Sequence, residues 1–136
     1  MGLFNTQKNC DQMEIYREWL RDHNVSFQET PFGLLFRWQG GNFVIEKDPK
    51  DKSYLQLYMP SISEVTSANK EHILTIMNEV NNQIKCVKAV LKENDVWLEI
   101  EMFIDSTPVV EDFFGRLLDI LIGARLLFHL KEMGER

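Results

Sequence analysis

Residues 33–62 read GLLFRWQGGNFVIEKDPKDKSYLQLYMPSI, and their period of two decides the fold class. Leu34, Phe36 and Trp38 alternate with Leu35, Arg37 and Gln39, and the alternation resumes in Asn42-Phe43-Val44-Ile45-Glu46. Side chains two apart share one face of a strand, so each run has an apolar face and a mixed one. Gly40-Gly41 between them offers the positive φ angles of a tight hairpin. The run KDPKDK at 47–52 is charged turn chemistry, and 54–59 is a third strand with Leu55, Leu57 and Met59 on one side. Pro60 has no N–H for a ladder and is expected to end that strand. The stretch therefore predicts a three-stranded antiparallel meander, with 25–30 as a short extended lead-in.

Outward from the meander the period changes to that of a helix. In 9–23, Met13, Ile15, Tyr16, Trp19 and Leu20 form an apolar stripe, with Glu14, Arg17, Glu18, Arg21 and Asp22 on the other side. Asn24 is a plausible left-handed stop. Residues 1–8 are polar and unpatterned and are expected to be a flexible N-terminus. Downstream, 61–67 reads as linker and 68–83 as a helix on Ile73, Leu74, Ile76, Met77 and Val80. Two strands follow at 86–92 and 96–104, joined at Glu93-Asn94-Asp95. Thr107 can cap a last helix with Pro108 at its first position, running to about residue 131. The predicted order is α-β-β-β-α-β-β-α. Three apolar stripes and one hairpin-built sheet make a two-layer α+β domain over 9–133, its antiparallel sheet covered by helices on one face.

Alternation also sorts the strands into a covered and an open face. Leu34, Phe36, Phe43, Ile45, Leu57, Leu98 and Ile100 belong to the covered side. Tyr54, Tyr58, Trp97, Glu99, Glu101 and Phe103 share the open side with Arg37, Glu46 and Lys88. Aromatic side chains set among charges suit a protein-binding face, so these six are the candidate site. Cross-strand packing without any partner is the competing account. The last helix is apolar over more than half its circumference, which calls for a second surface such as another helix or a second copy of the chain. A homodimer is therefore expected. Asp119 and Arg125 break that run well short of a membrane span.

Composition limits the chemistry. The 136 residues carry 15 basic and 21 acidic side chains, a net charge of −6, which argues against coating nucleic acid or an anionic membrane. Glu99 and Glu101 lie two apart on one strand, but Arg37, Lys88 and Lys92 are available to neutralise them. Asp48 and Asp51 sit in a turn with Pro49 and Lys50 where a calcium loop would need glycine. His23, His72 and His129 fall on three helices without metal-ligand spacing, and Cys10 and Cys86 form no CxxC. Both cysteines read as reduced thiols, and with no signal peptide the expected location is the cytoplasm. The sequence offers no catalytic, cofactor-binding or metal-binding residue. The expectation is a non-enzymatic protein-binding module with a possible protein client. The alternative is a small-molecule or catalytic site on the open sheet face.

The quoted stretch also resembles a known family. Phe36, Gly40-Gly41 before Phe43 and Ile45, Asp48 and Asp51 in the turn, Tyr54-Leu55-Gln56-Leu57, Pro60 and Ile62 are similar to the opening meander of YbjN-type proteins, designated bacterial sensory transduction regulators. Asn78 and Asn81 are similar to that family's second-helix end. The element order resembles the type III secretion chaperone-like fold. The resemblance implies that fold, a bacterial source and a regulator- or chaperone-like role. It carries no catalytic residues.

Overall fold

A computed structural model describes residues 12–134. Its elements are α1 (Glu14–Asp22), β1 (Phe27–Thr30), β2 (Gly33–Trp38), β3 (Gly41–Glu46), β4 (Tyr54–Glu64), α2 (Lys70–Gln83), β5 (Lys88–Lys92), β6 (Asp95–Phe103), a short 3-10 turn (Val110–Asp112) and α3 (Phe114–Glu132). The strands form one antiparallel sheet in the order β1-β2-β3-β4-β6-β5. Helix α2 carries the chain from the sheet centre to its edge, and β6 returns to pair with β4.

The alternating apolar positions of β2, β3, β4 and β6 land on the covered face. Phe36, Ile45, Leu57, Leu98 and Ile100 are all buried there, with Leu117 of α3. Phe36 stacks on Phe43, and Phe114 at the start of α3 meets Tyr16, Trp19 and Phe36. The sheet and helices thus share one continuous core. At the rim, Arg125 Nη1 of α3 donates to the Gly40 carbonyl, 3.2 Å away, pinning the helix over the β2–β3 turn.

Several elements depart from the sequence reading. Residues 27–30 form a full edge strand, so four strands precede α2. The first hairpin is closed by the Trp38–Gly41 pair, which places Gln39 and Gly40 in the turn, at φ 46° and 79°. Positive φ at both central residues matches the right-handed strand twist. Pro60 does not end β4: the strand continues to Glu64 through an irregularity between Met59 and Ser63, with Ser61 at φ 49°. The missing N–H of Pro60 is accommodated because the ladder is already interrupted there. Thr107 and Pro108 do not open α3. The chain makes a 3-10 turn at Val110–Asp112 and α3 starts at Phe114, because Phe113 and Phe114 are drawn into the core. Arg17, placed on the solvent side of α1 by its charge, is buried. Its guanidinium bonds Glu14 at 3.2 Å and Glu29 of β1 at 2.7 Å, which fastens the helix to the sheet edge. The helix start at Asn9, the flexible segment 1–8 and Cys10 lie outside the described residues.

The expected left-handed stop after α1 holds, and further contacts tie the elements together. Asn24 adopts φ 58° after α1. His23 stacks on Trp19 with ring centroids 3.8 Å apart and brings Nδ1 to 2.8 Å from the Trp19 carbonyl. Asn81 brackets β5: Ala89 N–H donates to its Oδ1 at 2.6 Å, and its Nδ2 donates to the Ala89 carbonyl at 3.3 Å. At the far end of α3, Ser63 Oγ donates to Glu132 Oε2 at 2.7 Å, and His129 Nδ1 lies 3.0 Å from Oε1. Burial alone would push the Glu132 carboxyl up, but these hydrogen bonds outweigh it and hold the carboxyl below the usual carboxylate range.

Two outcomes follow from this packing. Leu98→Ala opens a cavity between sheet and helices and is expected to cost about 2–5 kcal/mol in a denaturant titration. Glu132 has a folded-state pKa below its unfolded value near 4.5, so its contribution is present above that value and is lost as pH falls through the folded one. Stability is therefore expected to drop below pH 4.5, more shallowly in Glu132→Gln, as read by thermal melts over an acid pH series.

Candidate functional site

The outer face of the sheet is built from the residues the alternation leaves over. Pairing runs Val44–Tyr58–Glu99–Lys88 across β3, β4, β6 and β5, and Glu46–Gln56–Glu101 one step along. Tyr54 pairs with Phe103 at the next non-adjacent row. All six candidate residues thus share one face of two neighbouring strands, as their spacing requires.

They do not share one environment. Phe103 is 72% exposed, and its ring lies 5.2 Å from that of Tyr54, centroid to centroid. Trp97 is half-buried and meets the Tyr58 ring edge-on at 6.0 Å. Lys92 of edge strand β5 lies across this pair, its Nζ 4.8 Å from the Tyr58 ring centre and 4.5 Å from that of Trp97. The same ammonium stands 2.6 Å from Glu99 Oε2, an ion-pair contact without an aligned hydrogen bond. Glu99 is only 4% exposed and Tyr58 is buried. The lysine stem and the indole cover them, as long amphipathic side chains do. What the face presents to solvent is therefore Phe103, Tyr54, the Trp97 edge and the charged heads, while Tyr58 and Glu99 support them from below.

The electrostatics are those of a neutralised cluster. Lys88 Nζ donates to Glu101 Oε1 at 2.8 Å, which raises the lysine above its ordinary pKa. Arg37, the third cation expected to serve these carboxylates, instead donates to Asn42 Oδ1 at 3.0 Å on its own hairpin. The Tyr58 hydroxyl donates to Gln56 Oε1 at 2.8 Å and lies 3.3 Å from Glu46 Oε2. Burial first, then the charges of Glu46, Glu101 and Glu99, push its ionisation far above the ordinary range. Burial first, then the Glu101 charge, also raise Tyr54 above its ordinary value. At neutral pH both hydroxyls keep their protons, and Glu99 and Glu101 each face a lysine. Such a cluster is held together by ring contacts and paired charge.

Concave regions lie elsewhere. A groove of about 770 Å³ runs over β1–β3 on the outer side, lined by Phe27, Leu35, Arg37, Asn42, Val44 and Pro60. A second, of about 630 Å³, opens between the start of α1, the β3–β4 turn and the chain after β6, among Met13, Ile15, Tyr16, Leu55, Tyr54 and Ile104. Neither is lined by Glu99, Glu101 or Trp97. Among the described residues no group of three or more His, Cys, Asp or Glu is placed to hold a metal ion. The Asp48 and Asp51 carboxylates accept instead from the backbone N–H groups of Lys50, Asp51 and Ser53. Cys86 is exposed at φ 68°, between α2 and β5. No helix among the described residues is long and apolar enough to cross a membrane.

Lys92 is the side chain of this cluster that the alternation reading underweighted. Its position at the end of β5 gave only a charge partner, and the stacking on two aromatic rings required the strand order. The signal was present in part, since a cation at a sheet edge beside exposed aromatics favours cation–π contact.

Comparison with known proteins bears on the fold. No family model and no curated protein matches the chain. Among solved structures it is similar to YbjN from E. coli, described as a candidate transcription regulator, at 16% sequence identity and a TM-score of 0.68, over 89% of this chain and 92% of that one. The chain has a YbjN-like α+β fold.

Proposed function

We propose that this chain is a non-enzymatic, regulator-like protein-binding module of the bacterial cytoplasm, working as a homodimer and gripping a protein client on the outer face of its sheet. The carrying observation is Phe103, 72% exposed and packed on Tyr54, on a face whose other aromatic and charged groups are already held in place. An exposed aromatic on a rigid, internally neutralised platform loses little entropy on binding, which is the character of an interface anchor. The YbjN-like fold agrees with a regulatory role by analogy. The locked hydroxyls and lysine-paired carboxylates of the cluster support a binding rather than a chemical task.

A small-molecule site on the same face is the second reading, favoured by the groove over β1–β3. Its apolar floor of Leu35, Val44 and Pro60 beside Arg37 has the size of a ligand pocket. The carboxylates that would give it chemistry lie outside its lining.

Immobilised full-length protein and its Phe103→Asp variant, exposed to bacterial extract, separate these readings. Phe103 is outside the core, so the variant is expected to keep its melting temperature. A client recovered with the native chain and rebound in purified form should lose on the order of tenfold or more in affinity for Phe103→Asp. A client bound equally by both proteins would move the interface off this face. A low-mass ligand seen by native mass spectrometry and lost in Val44→Trp would establish the groove instead.

A further inference from the structure

The exposed positions of α3 are Arg116, Asp119, Gly123, Leu126 and Leu130, and the chain continues to exposed Met133 at the helix C-cap. Their spacing of 3, 4, 3, 4 and 3 draws one straight stripe along the helix, the seam spacing of a helix that packs on another helix. Leu126 is 59%, Leu130 39% and Met133 75% exposed, in a helix whose other leucines are buried or packed against the core. Gly123 interrupts the same stripe. A Cβ built on it meets nothing within 4 Å, so no contact among the described residues explains a glycine there. Glycine in mid-helix is destabilising relative to alanine, and its benefit is close approach of another backbone or bulky side chain.

We propose that this stripe is the seam at which two copies of the chain meet, α3 against α3, antiparallel about Leu126. The inference rests on the homodimer reading above and names the surface. In that register Leu126 meets its own copy, and Leu130 of each helix enters the space left by Gly123 of the other, since 123 and 130 lie nearly symmetrically about 126. The interface is isologous and closes on two copies. The charge balance permits it. The chain carries −6, which opposes self-association in general, but the stripe carries one Arg116 and one Asp119 and is neutral in sum. The stripe from 116 to 133 is roughly 25 Å long at 1.5 Å per residue. A helix pair in contact over that length buries on the order of 1,000 Å², the lower edge of specific association, so the dimer is concentration-dependent.

Sedimentation velocity on the full chain over a dilution series tests this. A dimer is expected at high micromolar concentration, dissociating on dilution. Leu126→Glu, at an exposed position, should leave the circular dichroism unchanged and raise the dissociation constant on the order of tenfold or more. Gly123→Leu gives the sharper result: it favours the helix, so the monomer should melt no lower, yet it fills the space for Leu130 and should weaken the dimer comparably. A monomer at high micromolar concentration overturns the proposal. So does a dimer indifferent to both substitutions, which would place the contact on another surface while leaving the client reading at Phe103 intact. A client lost in Phe103→Asp, with dimerisation unchanged, keeps the two surfaces separate.

Discussion

Between Leu57 and Ile100 the two central strands, β4 and β6, place paired apolar side chains under the helices, and one residue along they place Tyr58 against Glu99 on the opposite face. Both layers of the molecule depend on that single register. A slip of β6 by one residue would send Leu98 and Ile100 to the outer face and bring Glu99 and Glu101 beneath the helices. The buried area on one side therefore fixes the aromatic and charged arrangement on the other. The outer cluster needs no separate folding energy of its own, because its geometry is inherited from the core.

The inner face was fully legible, and for a plain reason. A period of two in Leu34, Phe36, Phe43, Ile45, Leu57, Leu98 and Ile100 has one physical solution once helices are available to cover it. What escaped were features decided between elements. Pro60 looks like a stop because a single strand gives no view of the interrupted ladder that absorbs it. Thr107-Pro108 is a sound helix opening locally, overridden by the burial of Phe114. Arg17 carries a charge and sits on a helix, so pattern sends it outward. The arrival of Glu29 from β1, beside Glu14 of its own helix, makes its burial tolerable.

The candidate face was legible to the same depth. Strand alternation gathers Tyr54, Tyr58, Trp97, Glu99, Glu101 and Phe103 on one side, but alternation is blind to depth. Tyr58 and Glu99 are under cover because Lys92 reaches across from the next strand, and strand order is a property of the whole chain. The distinction matters for function: a residue that supports a surface and one that meets a partner leave the same trace in a period-two reading.

The irregularity in β4 has a consequence for how this chain can change in length. Between the Met59–Leu98 and Ser63–Val96 pairs, β4 advances four residues while β6 advances two. The surplus is even, so Ser63 returns to the helix side, where it reaches Glu132 of α3. An odd surplus would turn everything beyond it upside down and withdraw that hydroxyl from the helix. Evolution of this strand is thus governed by parity: substitutions at 60–62 are admissible, and insertions or deletions there survive in pairs. Among chains that share the fold, gaps at this point of an alignment should come in even steps, whatever the residues on either side have become.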